Sequence, residues 1–445
     1  MEENLFGQIL LSNNFLQKHE LERCIKIQQE SKTPKFLGEI LIEQGYITEG
    51  ILKNILSVQR RRMQLKDVER PGGKPTQLSR KEIGKRLEGA DIFGFLGLVN
   101  ELEASDLYLI TGLKPALRRH GILLDLEYDA LSGEQVKELV FKLIPEGHRD
   151  KFVRTNDLEL SGTLEAGGRY RVNMFRDYYG YGAIFRLFAR EIKTLDELGF
   201  PQAVKDLTQL NVGLILITGP ISSGKTTTLN ALVEEINKNR DGHIVTIERP
   251  IEILLESKMA VVTQREVGVH TRSFAIALRA ALREDPDFII VSELRDLETI
   301  ATALQAAETG HLVLGTLHTA SAARTLHRLV DAFPENQQAQ IRGMLAGTLR
   351  AIISQHLIPR ADGTGRVLAQ EILIANPAVS NLIRENRIYQ IPNVIQTSKA
   401  EGMVLMDDAL LGMAEKGTIS LEEALIRAEN SEKFSHIALA KIPKQ

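Results

Sequence analysis

Leu214-Ile215-Leu216-Ile217-Thr218-Gly219-Pro220-Ile221-Ser222-Ser223-Gly224-Lys225-Thr226-Thr227 is the stretch on which the reading of this chain turns. Four apolar residues in succession suit a strand buried on both faces, as in a parallel sheet. Gly219 to Thr226 then match G-x-x-x-x-G-K-T, and helical periodicity starts at once. Gly219 and Gly224 let the backbone turn its N–H groups inward around phosphate oxygens, and the helix N-terminus adds partial positive charge. Ser222, Ser223 and Thr227 complete the candidate nucleotide cradle. Lys225 is spaced to reach the β- and γ-phosphates of ATP, and the Thr226 hydroxyl to ligate Mg2+.

Outward from this loop, apolar runs recur at 244–247, 288–291 and 312–317, alternating with helical patterns at 226–239, 273–283 and 296–309. In the last of these, Leu297, Ile300, Leu304 and Ala307 share one face. The alternation predicts an α/β domain with a mainly parallel sheet over 196–375, followed by a helical region at 376–445. Hydrolysis needs an acid to hold the metal shell and a base to orient water. Glu248 and Glu293 each follow an apolar run, at the carboxyl ends where ligands bind in open parallel sheets. Either one alone also reads as a surface carboxylate. His311 and His318 bracket the next strand, with His318 on the nucleotide side. A histidine there suits γ-phosphate sensing or a structural hydrogen bond. Neither has a Cys or carboxylate at metal-site spacing.

The whole chain has 445 residues, 43% of them hydrophobic and 25% charged, which predicts two to four globular domains. A formal net charge of −3 supplies no field for a polyanion and argues against nucleic acid as a partner. The single cysteine, Cys24, excludes a disulfide framework and a cysteine-rich zinc module. No apolar run is long enough to span a bilayer and the N-terminus lacks a basic start, so a soluble intracellular protein is expected. Residues 87–195 read as an α+β domain: a helix at 87–102, strands at 107–110 and 116–124, a helix at 133–143 and several short strands within 152–188. Residues 60–86 hold ten Lys or Arg against three Asp or Glu, with Pro71-Gly72-Gly73 and Pro75, the composition of a linker drawn at 61–86. Its basic run is either solvated or set against an acidic protein or lipid surface. Residues 1–60 repeat at a spacing of 31, Phe6-Gly7 matching Leu37-Gly38 and Phe15-Leu16 matching Tyr46-Ile47. Each copy reads as helix, turn (Asn14 or Gly45) and helix.

Residues 85–445 resemble the secretion-type hexameric ATPases and, more narrowly, the retraction (PilT-type) ATPases of type IV pili. Besides the phosphate loop, the resemblance rests on Thr246-Ile-Glu-Arg-Pro-Ile-Glu252, Ala281-Leu-Arg-Glu-Asp-Pro-Asp287, Glu293-Leu-Arg-Asp-Leu-Glu-Thr299, Ala307-Glu-Thr-Gly-His311 and Gly315-Thr-Leu-His-Thr319. Ala104-Ser-Asp-Leu107 and Arg169-Tyr-Arg-Val-Asn173 carry it into the α+β domain. It implies a RecA-like P-loop ATPase domain preceded by a PAS-like α+β domain. It also implies that Glu248 is the general base, that Glu293 is the Walker B acid beside Thr226 at the metal, and that His311 and His318 form a His box. Arg171 and Arg186 would stabilise phosphate charge across the subunit boundary of a homohexamer. The cofactors implied are ATP and Mg2+. The implied setting is cytoplasmic, at the inner-membrane base of a pilus, against a platform protein, driving retraction and twitching motility. Residues 377–385 resemble the retraction family's Ala-Ile-Arg-Asn-Leu-Ile-Arg-Glu motif, with Val379 and Ser380 departing from it. The extension and secretion branches usually carry a four-cysteine zinc module that one cysteine cannot build.

Three further departures stand near the chemistry. Arg249 replaces the family's Asp, Ile221-Ser222 replaces Thr-Gly, and Ser292 replaces Gly. Arg249 beside Glu248 would favour the ionised carboxylate and weaken the base, or serve as an extra phosphate ligand. Ser222 lacks glycine's freedom at positive φ. Two functions therefore stay open: a hexameric retraction motor, and a slow or catalytically weakened regulatory paralogue that joins active pilus or type II secretion ATPases. The N-terminal repeat resembles the helical domain that precedes many secretion ATPases, one branch of which binds cyclic di-GMP. That branch's arginine is Leu5 and Phe36 here, and neither apolar residue can bond and stack on guanine. Docking to the platform protein is the expected role.

Overall fold

The computed structural model describes residues 18–30, 37–47, 87, 89–119, 122–164 and 168–434. They fall into two compact units, one drawn from Met1–Pro75, Arg360–Gly365 and Ala414–Gln445, the other from Thr76–Pro359 and Arg366–Met413. In the first unit, helices Lys18–Glu30 and Leu37–Glu43 bury Leu21, Cys24, Leu37, Ile40 and Leu41 together. Gly45, at φ +75°, turns the chain back after the second helix and returns Ile47 to the same core. Burial pushes the Cys24 thiol up from its ordinary pKa. Residues 1–17 and 48–60 of the repeat and the linker at 61–86 lie outside the described residues, as do Leu5 and Phe36.

The second unit contains two sheets. The first is antiparallel throughout and is built from β1 (Asp106–Ile110), β2 (Ala116–Arg119), β3 (Ile122–Asp125), β4 (Asp157–Thr163), β5 (Arg169–Arg176) and β6 (Tyr181–Leu187). Their order is β3-β2-β1-β6-β5-β4. Period-two alternation sends Tyr170, Val172 and Met174 of β5 into a core with Phe95, Val136 and Phe152 from three covering helices. The opposite face carries Arg171 paired with Arg186 across the β5–β6 ladder. Two sequence expectations need correction here. The strand expected at 116–124 is two strands, β2 and β3. The stretch 152–155 belongs to helix Glu146–Thr155, which closes at Asn156 in the left-handed conformation before β4 begins.

The second sheet comprises β7 (Gly213–Thr218), β8 (His243–Glu248), β9 (Val261–Glu266), β10 (Phe288–Val291), β11 (Leu312–Leu317), β12 (Leu349–Pro359) and β13 (Arg366–Ile374). Its order is β13-β12-β7-β11-β10-β8-β9, with every pair parallel except the β12–β13 edge. Helices cover both faces. Ile215, Ile217 and Leu314 pack with Leu229, Leu232 and Ile236 of helix Lys225–Asn239. Leu214, Leu216 and Val313 face the other way, onto Ile300 and Leu304 of helix Leu297–Glu308. The loops after β7, β8, β10 and β11 all leave the same edge, although β8 stands three strands from β7, a lateral separation of about 14 Å. Among the described residues, no helix is long and apolar enough to cross a membrane.

Leu314 is fully buried in the central strand β11. Leu314→Ala is expected to destabilise the unit by about 2–5 kcal/mol, read as a lower urea midpoint.

Candidate functional site

The loop from β7 to helix Lys225–Asn239 takes positive φ at Gly219, Ser222 and Gly224. A Cβ at Gly219 would lie 2.4 Å from the Gln355 carbonyl oxygen and 2.5 Å from the Ser223 hydroxyl, so only glycine fits. Ser222 occupies the left-handed region at φ +64° with a side chain attached. That costs about 1 kcal/mol, and the substitution is absorbed as local strain. The Lys225 ammonium donates to the Gly219 and Pro220 carbonyl oxygens, each at 2.8 Å. Burial brings its pKa down to about 8, against the opposing pull of Glu293. The buried Ser223 hydroxyl has no hydrogen-bond partner among the described residues, and Thr227 is exposed in the first helical turn. A glycine cradle, an orphaned hydroxyl, a buried lysine and a long helix's N-terminus fit the phosphates of a nucleotide. The Thr226 hydroxyl donates to Glu252 Oε1 at 3.4 Å, an oxygen-rich surround suited to Mg2+. Among the described residues no three His, Cys, Asp or Glu side chains form a metal cluster of their own. Mg2+ fits that pattern, since it is bound through few protein ligands and substrate phosphates.

Glu248 ends β8 and is buried. Its Oε1 accepts from the Thr246 hydroxyl at 2.6 Å and Gln264 Nε2 at 3.0 Å. The Glu252 backbone N–H also supports the carboxylate. Burial nonetheless outweighs these bonds and raises its pKa. Arg249 is exposed, and what shifts Glu248 is its burial together with Thr246, Gln264, Glu252 and Glu266. Glu252 is pushed up to about 7, first by burial and then by the Glu248 charge; Thr226, Arg171 and Arg186 pull the other way. The two arginines thus lie within electrostatic reach of Glu252 in their own chain, where the family pattern implied action on a neighbouring subunit. Arg186 is held by the buried Asp106 (Nε to Oδ1, 2.8 Å), while Arg171 is loosely paired with Glu159 at 3.6 Å.

Glu293 follows β10, and its Oε1 lies 3.3 Å from His318 Nε2. Ser292 keeps an ordinary negative φ, and its carbonyl accepts from the Thr316 hydroxyl at 2.6 Å. His311, expected in a His box with His318, stands apart from it in this chain. It precedes β11 at the opposite edge of the sheet, its Nδ1 2.9 Å from the Ala306 carbonyl oxygen. Six strand residues separate it from His318, about 20 Å along the chain direction. Sequence reasoning did not single out Glu252 or Gln264. Glu252 stood inside a quoted motif, but nothing in its spacing announces that the chain folds back toward Thr226.

Residues 165–426 match the family model described as "Type II/IV secretion system protein", which spans more than half of the chain. The chain belongs to that family. It is similar to the "Twitching motility protein" of Neisseria gonorrhoeae, at 46% identity over 72% of this chain and 86% of the relative. It is also similar to the "Type IV pilus retractation ATPase PilT" of Pseudomonas aeruginosa, at 44% identity over 77% of this chain and all of the relative. The solved structure of the pilus retraction motor PilT with bound ADP superimposes with a TM-score of 0.71 at 43% identity. That match covers 78% of this chain and 99% of the other. The family assignment takes in the phosphate loop, both candidate carboxylates and the helices after Asn376.

Because Glu252 titrates near 7 when folded and near 4.5 when unfolded, the folded chain holds a proton that the unfolded chain releases in this window. Its contribution to stability therefore falls as pH rises from about 4.5 to about 7, by up to about 3 kcal/mol. Glu252→Gln is expected to flatten that fall, with a larger gain in melting temperature at pH 8 than at pH 5. Ser222→Gly should relieve the left-handed strain and raise the melting temperature, by at most about 1 kcal/mol after glycine's added unfolded-state entropy.

Proposed function

We propose that this chain is a motor ATPase of the pilus-retraction type, turning ATP hydrolysis into movement of its domains within a ring of six copies. The observation that carries the reading is convergence at one edge of one parallel sheet. The phosphate loop after β7, Glu248 after β8, Glu293 after β10 and His318 after β11 all meet there.

In this reading the loop N–H groups and Lys225 bind the phosphates and hold them against the N-terminus of helix Lys225–Asn239. Thr226 and Glu293 would hold Mg2+, which when bound neutralises phosphate charge. Glu248 takes the proton of the attacking water on its carboxylate, and burial, by raising its pKa, makes it the stronger base. His318 steadies Glu293 through Nε2. Arg171 and Arg186 bring positive charge from the α+β sheet to the γ-phosphate side. Residues 87–195 act as the moving domain, 196–375 as the engine and 376–445 as its helical extension. Residues 1–60, on the linker 61–86, dock to an inner-membrane platform protein from the cytoplasmic side.

The test is the ATPase rate of the purified chain beside two variants. Lys225→Ala is expected to abolish nucleotide binding. Glu248→Gln is expected to keep binding and lower kcat by about 10²–10⁴. Tight binding with no turnover in the parent would instead establish the regulatory reading, which the strained Ser222 favours.

A further inference from the structure

The two sheets of the larger unit are joined by a polar cluster that the proposed chemistry leaves unused. Glu266, the last residue of β9, is only 5% exposed. Its Oε2 accepts from Arg169 Nη2 at 2.9 Å and from the Ile251 backbone N–H at 3.2 Å. Its Oε1 accepts from the Ser161 hydroxyl at 2.5 Å. Arg169, at the start of β5, also donates Nε to the Ile251 carbonyl oxygen at 2.7 Å. One ion pair therefore grips both backbone groups of a buried residue. Glu266 is also the register partner of Glu248 in the β8–β9 ladder, and the Val267 N–H that follows it donates to the Glu248 carbonyl oxygen at 2.8 Å.

We propose that Arg169 and Glu266 are positioning residues that hold the segment 248–252 in register from the α+β sheet, so that displacement of that sheet misplaces the Glu248 carboxylate and stops hydrolysis. The guanidinium suits this task because its planar fork reaches a carboxylate and a carbonyl at once, which a lysine ammonium at the same place does not. Ser161 and Arg169 lie on neighbouring strands of one ladder, so β4 and β5 act on Glu266 as a unit. The inference rests on the ATPase reading for its consequence, but the clamp can be read without it.

Arg169→Lys keeps the charge next to buried Glu266, and Arg169→Gln serves as a second variant if lysine re-forms both contacts. Hydrogen–deuterium exchange of the full chain should show faster exchange in the peptide spanning 249–253, with the phosphate-loop peptide unchanged. Turnover of the same samples should fall about 10- to 100-fold in kcat, with ADP affinity held within about twofold, a split that general destabilisation would not give. Unchanged exchange in both variants overturns the clamp. So does unchanged kcat, or a parallel loss of ADP affinity. If the parent chain and Lys225→Ala show equally little turnover, the ATPase reading fails, and the exchange result alone then upholds or overturns the clamp.

Discussion

A parallel sheet whose central strands are buried on both faces leaves the chain little choice about where chemistry can sit. Side chains within β7, β10 and β11 are wholly committed to packing, so polar groups can gather only where those strands end. Parallel connections bring every carboxyl end to one edge. The phosphate loop, Glu248, Glu293 and His318 are neighbours for that reason, although about 20 to 100 residues separate them in sequence. His311 illustrates the same rule from the other side. It flanks the same strand as His318 but at the opposite end.

Within that edge, electrostatics distinguishes groups of like charge. Glu248 and Glu252 are both pushed up by burial, yet only Glu252 lies under the pull of Arg171 and Arg186. Glu293 is more exposed and sits against His318 and within the field of Lys225. Three carboxylates at one edge therefore have three environments. Such divergence lets neighbouring carboxylates of one site hold protons differently.

Much of this was legible in the sequence because the signals were local. The apolar runs at 288–291 and 312–317 coincide with β10 and β11, and the glycines of the phosphate loop sit where positive φ is needed. Strands β9, β12 and β13 gave weaker signals. Val261-Val-Thr-Gln-Arg-Glu266 mixes apolar and polar residues because β9 is a half-exposed edge, and it follows a loop with no turn signature. Residues 152–155 read as extended, but Phe152 is buried from a helix that ends only at Asn156. Glu252 and the Arg169–Glu266 clamp were invisible for a different reason. Each depends on contacts between segments that only the folded chain brings together, and no periodicity encodes them. Arg249 is exposed, so solvent screens the charge that its adjacency to Glu248 suggests.

The tight seat of Gly219 against the Gln355 carbonyl has a consequence for the order in which the protein is made. The floor under the phosphate loop belongs to β12, where Ser354 bonds Thr218 and Gln355 bonds Thr228. Residue 355 leaves the ribosome well over a hundred residues after the loop it supports. A nascent chain that has exposed only the glycine-rich motif and its helix lacks that floor, and the cradle is complete only once β12 has joined β7.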